Sequence, residues 1–178
     1  MIRSTIPIES FLVPVTRTWE RQWLLLATGD FAGRDYNCMT VGWGGFGVMW
    51  GMPLAMIVVR PTRHTWQVIE RADSFSLSAF PEEHRGKLSY CGSHSGRDGD
   101  KAAAAGLTAI PCSSIRSPGF EEAELIVECR KTYWSDLDPA HFLDPGIETN
   151  YPKKDYHRMY FGQIVAITGT PRWQGETG

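Results

Sequence analysis

Short runs of apolar residues, or of alternating apolar and polar residues, recur along this chain, and each ends at residues typical of a turn. They leave little room for long helices. Such runs are typical of strands, and they predict six of them, over residues 23–28, 37–43, 54–59, 74–80, 125–133 and 160–168. Helical spacing is found only in three stretches, 65–72, 82–90 and 98–105. Loops are predicted where prolines, serines and glycines accumulate, over 109–120 and 136–155. Strands with helices inserted between them predict a mainly β (α+β) fold, an antiparallel barrel with helical excursions.

Length and charge limit the kinds of protein that this chain can be. At 178 residues it is long enough for one hydrophobic core, so we expect a single domain over residues 1–178. Its 18 basic and 20 acidic residues give a net charge of −2, which argues against nucleic acid or an anionic membrane as a partner. No run of about 18 apolar residues and no leader pattern occurs, so we expect no membrane span and a cytoplasmic location.

The four cysteines, Cys38, Cys91, Cys112 and Cys129, are scattered, with no CxxC pair and no histidine at a metal-ligand spacing. We therefore expect buried or half-buried free thiols in a reducing cytosol rather than disulfides or a metal site.

Two polar segments combine the residue types that bind a phosphate group. Residues 93–101 contain two serines, two glycines, Arg97 and Lys101, and they run directly into four alanines. Glycines let backbone N–H groups approach an anion closely, and a helix start adds unpaired donors and positive charge. Residues 60–65, Arg-Pro-Thr-Arg-His-Thr, have the same ingredients. Ser95 and Asp98 also match a capping box, so either segment could instead be a helix start with exposed charges.

The segment over residues 42–53 interleaves glycines with Trp43, Phe46, Trp50 and two methionines. A planar ring with polar edges would suit it, because backbone groups can contact the ring edge while aromatic side chains cover the faces. The alternative is a hairpin whose aromatic side chains cover the end of the barrel core.

Taken together, the two polar segments and the glycine-aromatic segment favour a phosphorylated ring cofactor. Neither a GxGxxG sequence after a strand nor a GxxxxGK[ST] sequence occurs, so a dinucleotide fold or a P-loop does not account for the phosphate chemistry. We also find no Ser-His-Asp set or paired carboxylates, and no side chain is predicted to be catalytic.

Several motifs in a fixed order resemble those of the flavin reductase-like family, and within it the flavoredoxin-type branch. They are Asn-Cys-Met-Thr-Val-Gly-Trp (37–43), Val-Arg-Pro-Thr-Arg-His-Thr (59–65), Phe-Ser-Leu-Ser (75–78), Phe-Pro-Glu-Glu (80–83), Ser-Tyr-Cys-Gly (89–92), Ser-Gly-Arg-Asp (95–98) with Lys101, and Asp-Tyr-His-Arg-Met-Tyr (155–160). The resemblance covers residues 23–167. It implies an FMN-binding split β-barrel, usually a homodimer, that holds FMN without a covalent bond near the subunit interface.

The resemblance also implies which residues bind FMN. Those expected along the isoalloxazine ring are Asn37, Met39, Thr40, Val41, Gly42 and Trp43. The phosphate would be met from one side by Arg60, Thr62 and Thr65, and from the other by Ser95, Gly96, Arg97 and Lys101. His157 would face the flavin or the partner subunit, or it is simply a hydrogen-bonded histidine at a strand start. Many relatives have serine at the position of Gly42, so only a backbone contact is expected there.

Two functions follow from the resemblance, and both leave the difficult chemistry to the cofactor. The first is an NAD(P)H-dependent oxidoreductase that reduces a flavin or another acceptor. The second is a flavoredoxin-like electron carrier that holds FMN, exchanges electrons with a redox protein and has no nicotinamide activity. A split barrel that has lost its cofactor is a third possibility.

Overall fold

The computed structural model describes residues 2–176, and an antiparallel sheet of eight strands dominates this part of the chain. The strands of this sheet are β1 (Ser4–Thr5), β2 (Leu24–Asp30), β3 (Asp35–Val41), β4 (Gly44–Met49), β5 (Met52–Val59), β6 (Ser74–Ala79), β9 (Leu125–Asp136) and β10 (Arg158–Gly169). Two short strands, β7 (Ala109–Ile110) and β8 (Gly119–Phe120), pair with each other separately.

The helices are short and lie between the strands. They are α1 (Val15–Arg17), which continues into a π-helical turn (Thr18–Gln22), α2 (His64–Arg71), α3 (Arg85–Ser93) and α4 (Lys101–Ala104). Single 3₁₀ turns cover Ile8–Ser10, Glu82–His84, Gly96–Asp98, Pro139–His141, Pro145–Asn150 and Pro171–Trp173. Among the described residues, no helix is both long enough and apolar enough to cross a membrane.

The order of strands across the main sheet is β3-β2-β6-β9-β10-β5-β4, with β1 added beside β10. Strands β3 and β4 lie at the two ends of this order, so the sheet remains open. A two-residue turn joins β4 to β5, and both of its residues, Trp50 and Gly51, have the positive φ that a type I′ hairpin turn requires.

Side chains that point alternately to the two faces of the strands contribute to two hydrophobic clusters. The larger one contains residues such as Leu24, Leu26 and Tyr160. The smaller one lies between strands β2 and β3 and the helices α3 and α4, and it contains Leu25, Ala27 and Cys38. Because neighbouring strand residues point to opposite faces, β3 contributes Val41 to the larger cluster and Cys38 to the smaller one.

The predicted strands and helices are found within a few residues of their expected positions. The glycine-aromatic segment is the hairpin of β4 and β5, and Phe46 packs on Trp19 and Phe11 at ring-centroid distances of 5.4 Å. The helix predicted over 98–105 begins only at Lys101, because the Asp100 carboxylate accepts the N–H groups of residues 102 and 103.

Ser95 caps the 3₁₀ turn Gly96–Asp98, which lies before α4. The capping box therefore does not start an α-helix, and that alternative is wrong. The predicted loop at 109–120 contains the β7–β8 pair, and the loop at 136–155 contains two 3₁₀ turns. The single domain over 1–178 stays a prediction.

Candidate functional site

A groove of about 260 Å³ opens beside the end of strand β3. Its floor and walls come from the end of β3, from the end of β5 and from the residue that precedes β10. The residues that line it are Met39, Thr40, Val41, Gly42, Trp43, Val58, Arg60, Arg63 and His157. Seven of these were predicted from the sequence, and the strand pairing explains why they meet, since Arg158 of β10 lies opposite Val59 of β5.

A second recess of about 300 Å³ continues the groove towards helix α3. It shares Thr40 and Gly42 with the first, and its other lining residues are Trp23, Leu88, Ser89, Gly92 and Ser93. The Thr40 hydroxyl donates to the Leu88 carbonyl at 2.5 Å, which fixes the helix against the strand. We call the two recesses together the β3 groove.

Trp23 is a groove residue that the sequence did not reveal, and its backbone has an unusual φ of +64°. The guanidinium of Arg85 stacks over the indole with its central carbon 3.2 Å from the ring centroid, and it donates to the Gln22 carbonyl. A Cβ atom at Gly42 would lie 3.3 Å from both the Trp23 ring and the Trp19 carbonyl. This crowding gives a physical reason for glycine, rather than serine, at this position.

The two predicted phosphate segments meet at one buried side chain, Asn37. Its amide donates to the Thr65 hydroxyl at 2.8 Å, which connects β3 to the first turn of α2. On its other side lies Gly96, where a Cβ atom would be only 2.1 Å from the Asn37 oxygen. Any side chain at position 96 would therefore push the 95–101 segment away from the strand. Asn37 thus lies between the two segments, on β3 and two residues before the groove residue Met39.

Arg60 and Thr62 of the first segment share one partner, the Asp155 carboxylate. Arg60 donates to Asp155 at 2.8 Å and to the Asn150 carbonyl at 2.8 Å, and Thr62 lies 3.4 Å from Asp155. Burial raises the pKa of Asp155, but hydrogen bonds from Arg60, from the backbone and from Thr62 together hold it below its usual value. Arg60 is therefore neutralised by a carboxylate that remains ionised.

Arg63 differs from Arg60, because the only side-chain hydrogen bond that it forms among residues 2–176 is a long one of 3.5 Å to the Gly92 carbonyl. It lies across the groove from α3 and is exposed to solvent. The sequence placed both arginines in one motif, but only the position of Asp155 shows which guanidinium remains available to an anion.

The second segment offers fewer free groups than the sequence suggested. Lys101 is buried, and its ammonium donates to the carbonyls of Cys91 at 2.8 Å and His94 at 3.0 Å. Desolvation lowers the pKa of Lys101. The Ser95 hydroxyl accepts the N–H of Arg97, whose side chain is exposed. Lys101 therefore fixes the segment in place, while Arg97 is the cation that the segment presents.

His157 is buried in the wall of the groove. Its Nδ1 lies 2.9 Å from the Tyr151 hydroxyl, and its ring centroid is 5.1 Å from that of Trp43, which is half exposed. Desolvation, together with the nearby charge of Arg60, lowers the pKa of His157 to about 4. The groove therefore combines a neutral imidazole and a flat indole with the guanidinium of Arg63, which is not paired with a carboxylate among the described residues. This donor set fits a planar ring that carries a phosphate.

Comparison with known proteins agrees with this geometry. A model of the flavin reductase like domain matches residues 18–171. The chain belongs to the flavin reductase-like family. A search of curated proteins found no match.

Solved structures with the same fold share little sequence with this family member. Flavoredoxin of Desulfovibrio vulgaris (Miyazaki F) has a TM-score of 0.64 at 20% identity, covering 88% of this chain and 70% of the other. An FMN-binding domain of a flavin reductases-like enzyme from Shewanella baltica OS155 has a TM-score of 0.67 at 14% identity, covering 94% of this chain and 77% of the other. A 2-nitrobenzoate 2-nitroreductase of Pseudomonas fluorescens has a TM-score of 0.65 at 20% identity, covering 88% of this chain and 69% of the other. The predicted family and the predicted split β-barrel are both confirmed.

Proposed function

We propose that this protein is an FMN-binding oxidoreductase that uses NAD(P)H to reduce a flavin or another acceptor. The observation that carries the proposal is the meeting of the 60–65 and 95–101 segments at Asn37, beside a groove lined by Met39 and Trp43. Membership of the flavin reductase-like family supports the same assignment. Free thiols at all four cysteines are consistent with a reducing compartment, and a cytoplasmic location stays a prediction.

In this proposal, the isoalloxazine ring lies along Met39–Trp43 and the phosphate lies near Arg63 and Arg97. The chain's own contribution is to bind and orient the ring, to cover part of it with apolar side chains and to neutralise the phosphate. FMN would supply the hydride and electron chemistry. A neutral His157 can donate or accept one hydrogen bond at the edge of the ring without adding charge to the groove.

The experiment that tests the nicotinamide part is an anaerobic titration of the purified, FMN-loaded protein with NADH and then with NADPH. We expect rapid loss of the flavin absorbance with at least one of the two nucleotides, at a rate well above that of free FMN. Reduction by a reduced redox protein, with no response to either nucleotide, would instead support an electron carrier. A preparation that stays colourless after FMN is added would contradict both functions.

The chain also has an exposed aromatic surface on its main sheet. Val48, Met49 and Trp50 of the β4–β5 hairpin are exposed, and so are Tyr133 and Trp134 of β9. Trp50 packs edge-on against Tyr133 and Phe161, at ring-centroid distances of 5.8 and 6.3 Å. We call these residues the hairpin patch. An aromatic surface of this kind suits a protein partner.

We further propose that a second copy of this chain covers the hairpin patch. Strand β4 is an edge strand of the main sheet. The sequence between Tyr36 and Val59, which includes β4, contains no charged side chain. Exposed edge strands usually carry charges or proline that prevent pairing, and a long uncharged apolar edge is a site of association. Trp43 directly precedes β4 and lines the β3 groove, so an interface on this edge would lie beside the flavin site.

The substitution Trp50→Lys tests the dimer, because it places a charge at the centre of the hairpin patch. We expect the dissociation constant of the dimer to rise at least about tenfold in analytical ultracentrifugation. Leu143→Glu is the matched control, since Leu143 is 98% exposed and lies outside the patch. A wild-type chain that is monomeric at tens of micromolar, or an equal effect of the control, would refute the interface.

A further inference from the structure

A cavity of about 810 Å³ lies outside the β3 groove. Its wall is formed by the first helical segment, by residues at the start of α3 and by the turn that follows β10. The charged residues that line it are four arginines and two glutamates: Arg17, Arg21, Arg85, Arg172, Glu20 and Glu82. We call it the arginine cavity.

The positive charge of the arginine cavity is only partly neutralised. Arg172 is paired with the buried carboxylate of Glu124 at 3.0 Å. The other three arginines form no ion pair within residues 2–176, and neither do the two glutamates of the lining. Three unpaired guanidinium groups therefore share the cavity with two unpaired carboxylates, and an excess of positive charge remains.

Arg85 is held in place while some of its donors stay unused. Its guanidinium stacks on Trp23, and its Nη1 donates to the backbone carbonyls of Arg21 and Gln22. In the part of the chain that the structure describes, its Nε and Nη2 donate no hydrogen bond. A guanidinium that is already ordered loses little freedom when it binds an anion, and its planar set of N–H donors fits the oxygens of a phosphate.

Arg17 and Arg21 add two exposed cations to the same wall. They are four residues apart on the helical segment in which α1 continues into the π-helical turn. Side chains at this spacing lie close together on a helix, and two like charges there destabilise it. A bound dianion would remove this repulsion, so the pair favours an anion in the cavity.

The lining also offers acceptors and apolar surface. The carboxylates of Glu20 and Glu82 can accept hydrogen bonds from sugar hydroxyls, and Pro14 and Val15 are exposed apolar residues on which a base can pack. A free phosphate ion would use none of these groups, and the carboxylates would repel it. The lining therefore suits a phosphate that is carried by a nucleoside.

Trp23 and Arg85 connect the arginine cavity with the β3 groove. Trp23 lines the recess of the groove beside α3, whereas Arg85, which is stacked on it, lines the cavity. The two sites are thus separated by one stacked pair of side chains. A nicotinamide dinucleotide has its nicotinamide at one end and an adenosine at the other, and in NADPH this adenosine carries a 2′-phosphate that NADH lacks.

We propose that the arginine cavity binds the adenosine 2′-phosphate end of NADPH and thereby selects NADPH over NADH. This inference rests on the proposed function, in which the nicotinamide reduces a flavin in the β3 groove. Arg17, Arg21 and Arg85 bind the 2′-phosphate, while the glutamates and the apolar residues contact the adenosine. NADH has a hydroxyl in place of this phosphate, so it lacks the contacts with the arginines.

Calorimetric titration of the purified, FMN-loaded protein with adenosine 2′,5′-bisphosphate tests the site without turnover. We expect this compound to bind at least about tenfold more tightly than 5′-AMP, which lacks the 2′-phosphate, and than inorganic phosphate. Equal affinity for 5′-AMP would mean that the 2′-phosphate is not recognised, and equal affinity for inorganic phosphate that the adenosine is not. Either result, or no binding of the bisphosphate, would overturn the proposal.

The double substitution Arg17→Ala and Arg21→Ala tests the specificity during turnover. We expect the KM for NADPH to rise at least about tenfold more than the KM for NADH. Arg116→Ala with Arg130→Ala is the matched control, because it removes two exposed arginines from a different recess and should leave the ratio of the two KM values unchanged.

Two kinetic results would contradict the inference alone: a wild-type protein that prefers NADH, or a double variant in which both KM values change equally. A protein that neither nucleotide reduces would contradict the proposed function instead. The calorimetric titration then still decides whether the arginine cavity binds the bisphosphate.

Discussion

Replacing both Arg63 and Arg97 by alanine is expected to weaken FMN binding by roughly 10- to 100-fold and to leave riboflavin binding nearly unchanged. Both side chains are exposed and neither forms an ion pair within the described residues, so removing them leaves no buried charge without a partner. Riboflavin lacks the phosphate but has the same ring, so in this proposal it would not use the two arginines. Fluorescence titration with each flavin measures the two affinities.

The choice of Arg63 rather than Lys101 follows from the structure. Alanine at Lys101 would remove two hydrogen bonds that hold the end of α3, so a loss of binding there would not distinguish a phosphate contact from local unfolding. Arg71→Ala is the matched control. Arg71 is the last residue of α2, the helix that starts directly after Arg63, and its side chain pairs with Asp35 on the surface. Equal losses for FMN and riboflavin would contradict the phosphate assignment.

The sequence predicted the strands well because burial imposes a simple pattern on them. Residues 24–27 and 54–59 are mostly buried and apolar because β2 and β5 each have a neighbouring strand on both sides, and these strands were expected within a few residues of where they lie. Strand β4 was not predicted as a separate strand. It is an edge strand rich in glycine, and its exposed Val48 and Met49 break the expected alternation. What covers an edge strand cannot be read from the strand itself.

The site was predicted less completely, since its geometry depends on contacts between distant parts of the chain. The sequence could place Asn37, Thr65 and Gly96 in three motifs, but it could not show that one amide side chain touches the other two. The resemblance assigned a phosphate contact to Arg60, and only the fold shows that Arg60 is paired with the distant Asp155 whereas Arg63 is not. Trp23 gave no local signal, because its position depends on stacking with Arg85.

The lowered pKa of His157, which lines the β3 groove, predicts that the stability of the protein depends on pH. The unfolded chain binds a proton at His157 near pH 6.5, whereas the folded chain keeps the imidazole neutral until its lowered pKa of about 4 is reached. Between these two values the unfolded state binds more protons, so the free energy of unfolding decreases as the pH falls. The contribution is complete above about pH 6.5, and about 2 kcal/mol of it is lost by pH 4.5.

His157→Gln removes the titrating group while an amide can still meet the Tyr151 hydroxyl. We therefore expect the wild-type protein to lose about 2 kcal/mol more stability than this variant between pH 7.5 and pH 4.5, measured by urea unfolding at both values. His141→Gln, at an exposed histidine, should follow the wild type. If wild type and His157→Gln lose equal stability, the imidazole is not kept neutral by burial and by Arg60. The neutral hydrogen-bonding group proposed at the edge of the flavin ring would then be absent.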